Sequence, residues 1–159
     1  MTEIEKAYVA GFFDGEGCCS ISANCSVKVV IAQKDPAVLE WMSKEYGGVI
    51  YPTSKSQGAA KLTFNNKANI MKFLVDVKPN LKAKCFEVDI AIQMLALNAT
   101  NHTRPQSKNG LFMPNPHKAE RDRLYQLYRA HRDRTSRQSV ALRKRNEAKR
   151  LLTQTPQGA

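Results

Sequence analysis

Residues 8–17 read YVAGFFDGEG, an apolar segment that closes on two carboxylates interleaved with glycines, Asp14-Gly15-Glu16-Gly17. Around it Ile4, Ala7, Tyr8, Gly11 and Phe12 recur at helical spacing and predict an α-helix over Glu3–Asp14. Glycine inside a helix costs about 1 kcal/mol relative to alanine, so Gly11, Gly15 and Gly17 need a compensating purpose. Ala7, Gly11 and Gly15 follow one another at i, i+4 and form a ridge without bulky side chains, along which another backbone can approach closely.

Beyond Gly17 the period changes to two. Cys19, Ile21 and Ala23 alternate with Ser20, Ser22 and Asn24, and after a tight turn near Asn24-Cys25 the apolar Val27, Val29 and Ile31 alternate with Ser26 and Lys28, which predicts a two-stranded hairpin. Asp35-Pro36 is a helix start with an Asp N-cap and Pro at the first helical position, and Gly47 is its stop, with Val38, Leu39, Met42 and Tyr46 facing inward. A second hairpin spans VIYPTSKSQGAAKLTF, turning at Ser56-Gln57-Gly58 with Leu62 and Phe64 in the core. Asn66 caps a helix over 67–76 that Pro79 ends, and residues 80–97 form a longer helix with Leu81, Cys85, Val88, Ile92 and Leu95 on one stripe. The order is αββαββα.

The chain has 159 residues and 17.8 kDa, enough for one domain with its own core plus an appendage. With 42% hydrophobic and 25% charged residues the composition is globular, and no run of eighteen apolar residues is present to span a bilayer. The first residues lack the basic-then-apolar order of a secretory signal, which points to an intracellular protein with no membrane partner, and organelle and prokaryotic cytoplasm both stay open. Cys18, Cys19, Cys25 and Cys85 have no C-x-x-C spacing, so reduced, partly buried thiols are expected rather than a zinc site or a disulfide framework. His102, His117 and His131 show no ligand or nucleophile pattern.

A net charge of +11 favours a polyanionic partner, and its distribution is uneven. Between His117 and Arg150 there are twelve Lys or Arg against four Asp or Glu, and nine of the ten arginines lie in this stretch. The shift marks an organisational boundary near Pro114-Asn115-Pro116: a core over 1–98, a loop or linker over 99–116, and a basic helical extension over 117–159.

VAGFFDGEG at residues 9–17 resembles the LAGLIDADG motif of homing endonucleases, and the αββαββ order over residues 4 to about 97 is similar to that family's α+β core. The resemblance implies a homodimer, because the chain carries a single motif, with the motif helices packed at a two-fold axis through Ala7, Gly11 and Gly15. It implies that Glu16 binds a divalent cation, Mg²⁺, beside the scissile phosphate, with Gly15 lending a backbone carbonyl. Oxygen ligands of this kind suit hard cations that bridge nucleophile and leaving group. Asp14 is expected to end the helix by bonding to local backbone. By position, Gln33 in VVIAQKDP matches a glutamine that orders water near the metals. Lys84 matches a lysine that polarises the phosphate or the water network, with Lys82 as the second candidate. The arginine found after the glutamine in some relatives is absent, Ala37 and Val38 occupying that region.

The fold implied would lay four strands per subunit in the major groove of double-stranded DNA, where base edges carry a distinctive donor and acceptor pattern. The outward set is Ser20, Ser22, Asn24, Ser26 and Lys28 on the first hairpin and Tyr51, Thr53, Lys55, Gln57, Lys61 and Thr63 on the second. Half-exposed strands carry polar residues outward in any case, so the face is better defined than any single contact. In the extension, Arg134 and Arg137 are candidate DNA contacts that add affinity and register with little specificity. The expectation is a site-specific endonuclease making a staggered double-strand break. Its rival is a non-cleaving module of the same fold, an intron RNA maturase or DNA-binding regulator, and intron RNA is a further partner to consider.

Overall fold

The computed structural model describes residues 1–53, 58–99 and 116–153, with side chains to residue 146. Residues 54–57, with Lys55 and Gln57 and most of the expected second turn, and nearly all of the expected linker, with His102, lie outside the described residues.

Helix α1 (Glu3–Glu16) starts at Thr2, whose hydroxyl accepts from the Glu5 amide while the Glu5 carboxylate accepts from the Thr2 amide, a reciprocal cap. It runs two residues past the expected end at Asp14, so the whole acidic tip is helical until Gly17 turns the chain into an extended strand. The core-facing residues are Val9, Ala10 and Phe13. The stripe that first indicated a helix is instead the outer face, with Ile4 83% and Tyr8 52% exposed.

Strands β1 (Gly17–Ile21) and β2 (Val27–Gln33) form the first hairpin, α2 (Pro36–Tyr46) follows, and β3 (Val49–Pro52) and β4 (Ala60–Thr63) form the second. The four strands make one antiparallel sheet in the order β1-β2-β4-β3, with Gly17 opposite Ile31 and Ala32 opposite Lys61. Both expected caps are present: the carboxylate of Asp35 accepts from the Ala37 amide and the side chain of Asn66 from the Ala68 amide. At Gly47 the backbone φ is 76°, a left-handed value that glycine adopts without a Cβ penalty, and its amide closes α2 onto Ser43.

Helix α3 (Lys67–Val77) leads through a 3-10 turn at Lys78–Asn80 to α4 (Cys85–Ala99). The long helix expected over 80–97 therefore starts later, because the amides of residues 82–84 are drawn to a distant carboxylate described below. Helix α4 buries Val88, Ile90, Ala91, Met94, Leu95 and Asn98, while Cys85 is exposed and Ile92 half-buried, so the expected stripe is rotated. Ala23 and Val38 were likewise placed inward; Ala23 is exposed in the turn and Val38 half-buried. None of the four cysteines is in a disulfide; two are buried and two exposed.

The inward sheet residues Cys19, Ile21, Val27, Val29, Ile31 and Leu62 are buried together with the inner faces of α1–α4. Phe73 sits at the centre, with ring centroids 5.1 Å from Phe13, 4.9 Å from Phe64 and 5.2 Å from Tyr46. Helix α5 (Lys118–Thr153) belongs to two compact units: its first turns, up to Tyr125, fold with the core, and Gln126 onward forms the second.

Candidate active site and nucleic-acid face

Three backbone amides, those of Lys82, Ala83 and Lys84, donate to the Asp14 carboxylate at 2.7, 3.0 and 3.0 Å. Burial alone would raise the Asp14 carboxyl; the three amides and the Lys84 ammonium outweigh it and hold the group below its ordinary value. Asp14 therefore bonds not to local backbone, as the sequence suggests, but to a segment almost 70 residues away. The consequence reaches Lys84, whose ammonium donates to the carbonyl oxygen of Asp14 and lies 5.8 Å from the Phe13 ring centroid. A cation there also meets the partial negative charge of the C-terminus of α1.

Glu16, the last residue of α1, is exposed one position beyond Gly15. Gln33 ends β2, and the register of Gly17 opposite Ile31 sets that strand end at the edge where α1 passes into β1. Its side-chain oxygen accepts from the Lys34 amide at 2.7 Å. Four of the candidates, Gly15, Glu16, Gln33 and Lys84, thus gather at one end of the motif helix. Lys82 is exposed there and contributes its backbone amide to Asp14.

Among the described residues no group of three or more His, Cys, Asp or Glu converges. The donor chemistry fits a hard ion: a carboxylate at Glu16 and a helix-terminal carbonyl at Gly15 supply only oxygen. Asp14 is spent on its three amides.

The glycines separate by environment. A Cβ on Gly17 would lie 2.0 Å from a Phe13 ring carbon, so that glycine is required by the chain's own packing. A Cβ on Gly11 or Gly15 would meet nothing within 4 Å. Their exposed ridge, with Ala7, is unexplained by contacts among the described residues.

The outward sheet face carries Ser20, Lys28, Lys61, Thr63 and Tyr51, aligned by the pairs Ser20–Lys28, Val30–Thr63, Ala32–Lys61 and Tyr51–Lys61. Thr53 follows β3 and closes the second hairpin, its amide and hydroxyl both bonding the Ala59 carbonyl. Cys18, Val30, Ala32 and Val49 share this face; their positions in the alternation show it, but their apolar types obscured it. At the tip of the first hairpin, Ser22, Asn24 and Ser26 are exposed but also build the turn: the Asn24 side-chain oxygen accepts from the Ser22 hydroxyl and, at 3.1 Å, from the Ser26 amide. Arg134 and Arg137 are exposed in the second unit, the former 3.2 Å from His131.

No family model matches the chain, nor does any curated protein. Among solved structures, the homing endonuclease I-CvuI, in complex with a DNA target in the presence of 2 mM Mg with the DNA not cleaved, is 19% identical at a TM-score of 0.51, over 59% of this chain and 67% of that one. An archaeal intron-encoded homing endonuclease complexed with DNA is 18% identical at 0.54, over 62% and 71%. The group I intron-encoded I-CeuI, also complexed with DNA, is 21% identical at 0.54, over 63% of this chain and just 57% of its own length. All are LAGLIDADG homing endonucleases. From the motif helix through the four-stranded antiparallel sheet to α4, this chain has the LAGLIDADG homing endonuclease fold.

Proposed function

We propose that the protein is a homodimeric, site-specific DNA endonuclease that hydrolyses one phosphodiester in each strand with divalent cations, Mg²⁺ by preference, and leaves a staggered break. The observation that carries this reading is the pairing of an exposed carboxylate, Glu16, with an exposed glycine ridge on the same helix that nothing among the described residues fills. Two such ridges pack closely only if the helices meet, and that meeting brings two Glu16 side chains to one place. Each Glu16, with the Gly15 carbonyl, would hold the cation. When bound, such an ion supplies Lewis acidity at the scissile phosphate and acidifies water.

The remaining roles belong to the chain's own residues. Lys84, fixed at the helix tip through Asp14, would offset charge on the phosphate, and Gln33 would orient water at the same edge. Ser20, Lys28, Tyr51, Lys61 and Thr63 on the outward face, joined by Lys55 and Gln57 from the second hairpin, would meet base edges in the major groove, and Arg134 and Arg137 the phosphates. The reported complexes of I-CvuI and I-CeuI with DNA support this partner.

The test is cleavage of a plasmid carrying the uninterrupted host gene, with Mg²⁺, by the parent and by Glu16→Gln. Cutting by the parent, and binding without cutting by the variant, is the expected result. Binding without cutting by both would favour a DNA-binding regulator, and preferential binding of intron RNA a maturase.

A further inference from the structure

The tip of the first hairpin is held from behind by two residues that no part of the catalytic reading uses. The backbone carbonyl of Asn24 accepts from the guanidinium of Arg121 on α5 at 3.0 Å, and the next carbonyl, that of Cys25, accepts from the side-chain amide of Asn98 on α4 at 2.9 Å. Asn98 is the one polar residue in the buried core among those described, 8% exposed. Cys25 has φ 62°, a left-handed backbone that a residue with a Cβ keeps only where its surroundings hold it. Its thiol lies 3.9 Å from the Arg121 carbonyl. Inside the turn, the Ser22 amide donates to Ser26 and the Cys25 amide to Ser22.

A two-stranded ribbon projecting from a sheet is marginal alone, and its tip ordinarily moves. Here two consecutive carbonyls are fastened to two different helices, so the turn is fixed at its apex. We infer that Arg121 and Asn98 are positioning residues that lock the β1–β2 tip, presenting Ser20, Ser22, Ser26 and Lys28 to DNA in one conformation and so setting discrimination between sites. The inference rests on the endonuclease reading for its DNA partner. Arg121 acts through the turn rather than on phosphate: its Nε is buried, and one of its terminal nitrogens is engaged by Asn24.

Four measurements on the 159-residue chain test this, using Arg121→Ala, Arg121→Lys and Asn98→Leu and a duplex that the parent selects from randomised DNA. Amide hydrogen exchange of residues 22–28 in the free protein should accelerate in Arg121→Ala and Asn98→Leu, with Arg121→Lys intermediate. Arg121→Ala should bind the selected duplex roughly tenfold more weakly and lose a similar factor of discrimination at base pairs under the hairpin tip. Single-turnover cleavage at saturating protein should stay within about twofold of the parent, since the motif helix is untouched. The salt dependence of binding should keep the parent's slope, whereas loss of a phosphate contact lowers it by about one. Unchanged exchange, a lowered salt slope or undiminished discrimination overturns the positioning role. A parent that selects no duplex overturns the endonuclease reading instead, and the specificity role with it.

Discussion

The inner and outer faces of α1 are built from similar small and apolar residues, yet only the inner one is buried among the described residues. Inward, Val9, Ala10 and Phe13 are fully buried, Phe13 packs edge-on to Phe73, and Gly17 lacks a Cβ because the Phe13 ring occupies that space. Outward, Ile4 and Tyr8 are exposed and Gly11 and Gly15 border open space. A helix disfavours those two glycines by about 1 kcal/mol each and gains nothing from them in a lone subunit. Folding explains the first face; the proposed meeting of two copies would explain the second.

The contrast can be broken by substitution on either side. Phe13→Ala removes a fully buried ring at the centre of the aromatic cluster and should cost about 3–5 kcal/mol in urea unfolding. Gly17→Ala forces a methyl into that ring and should cost about 1–3 kcal/mol. The two should be non-additive, since shortening Phe13 removes the ring clash and leaves only the Phe13 carbonyl oxygen, 2.6 Å from a Gly17 Cβ.

At the tip between the faces, Asp14→Asn keeps an acceptor but loses the charge that three amides share, a cost of about 1–2 kcal/mol for a part-exposed group at neutral pH. Because the folded carboxyl lies below its ordinary 3.8, this contribution is complete above that pH and lost as pH falls through the lowered folded value. Parent and Asp14→Asn stabilities should therefore converge below about pH 4 and stay separated above it.

Much of this architecture is local chemistry and was legible for that reason. Asp35-Pro36 and Asn66 announce helix starts with their own side chains, and the alternation through Cys19–Ile31 sets which residues of the first hairpin face inward. The start of α4 was hidden because Asp14, far away in sequence, captures the amides of residues 82–84 that would have begun the helix. The tip brace was hidden for the same reason: Asn98 and Arg121 meet Cys25 and Asn24 only after folding. Glu16 and the ridge stood out through their spacing; the link between Asp14 and Lys84 did not, since nothing in residues 80–85 signals a carboxylate partner.

The central claim is that a second copy of the chain covers the outer face of α1. Sedimentation equilibrium of the parent and of Gly11→Leu, whose Cβ would meet nothing within 4 Å among the described residues, addresses it most directly. The account predicts a parent of twice 17.8 kDa and a folded variant of 17.8 kDa; a parent that stays at the single-chain mass on DNA as well as off it, or a variant that dimerises like the parent, contradicts it.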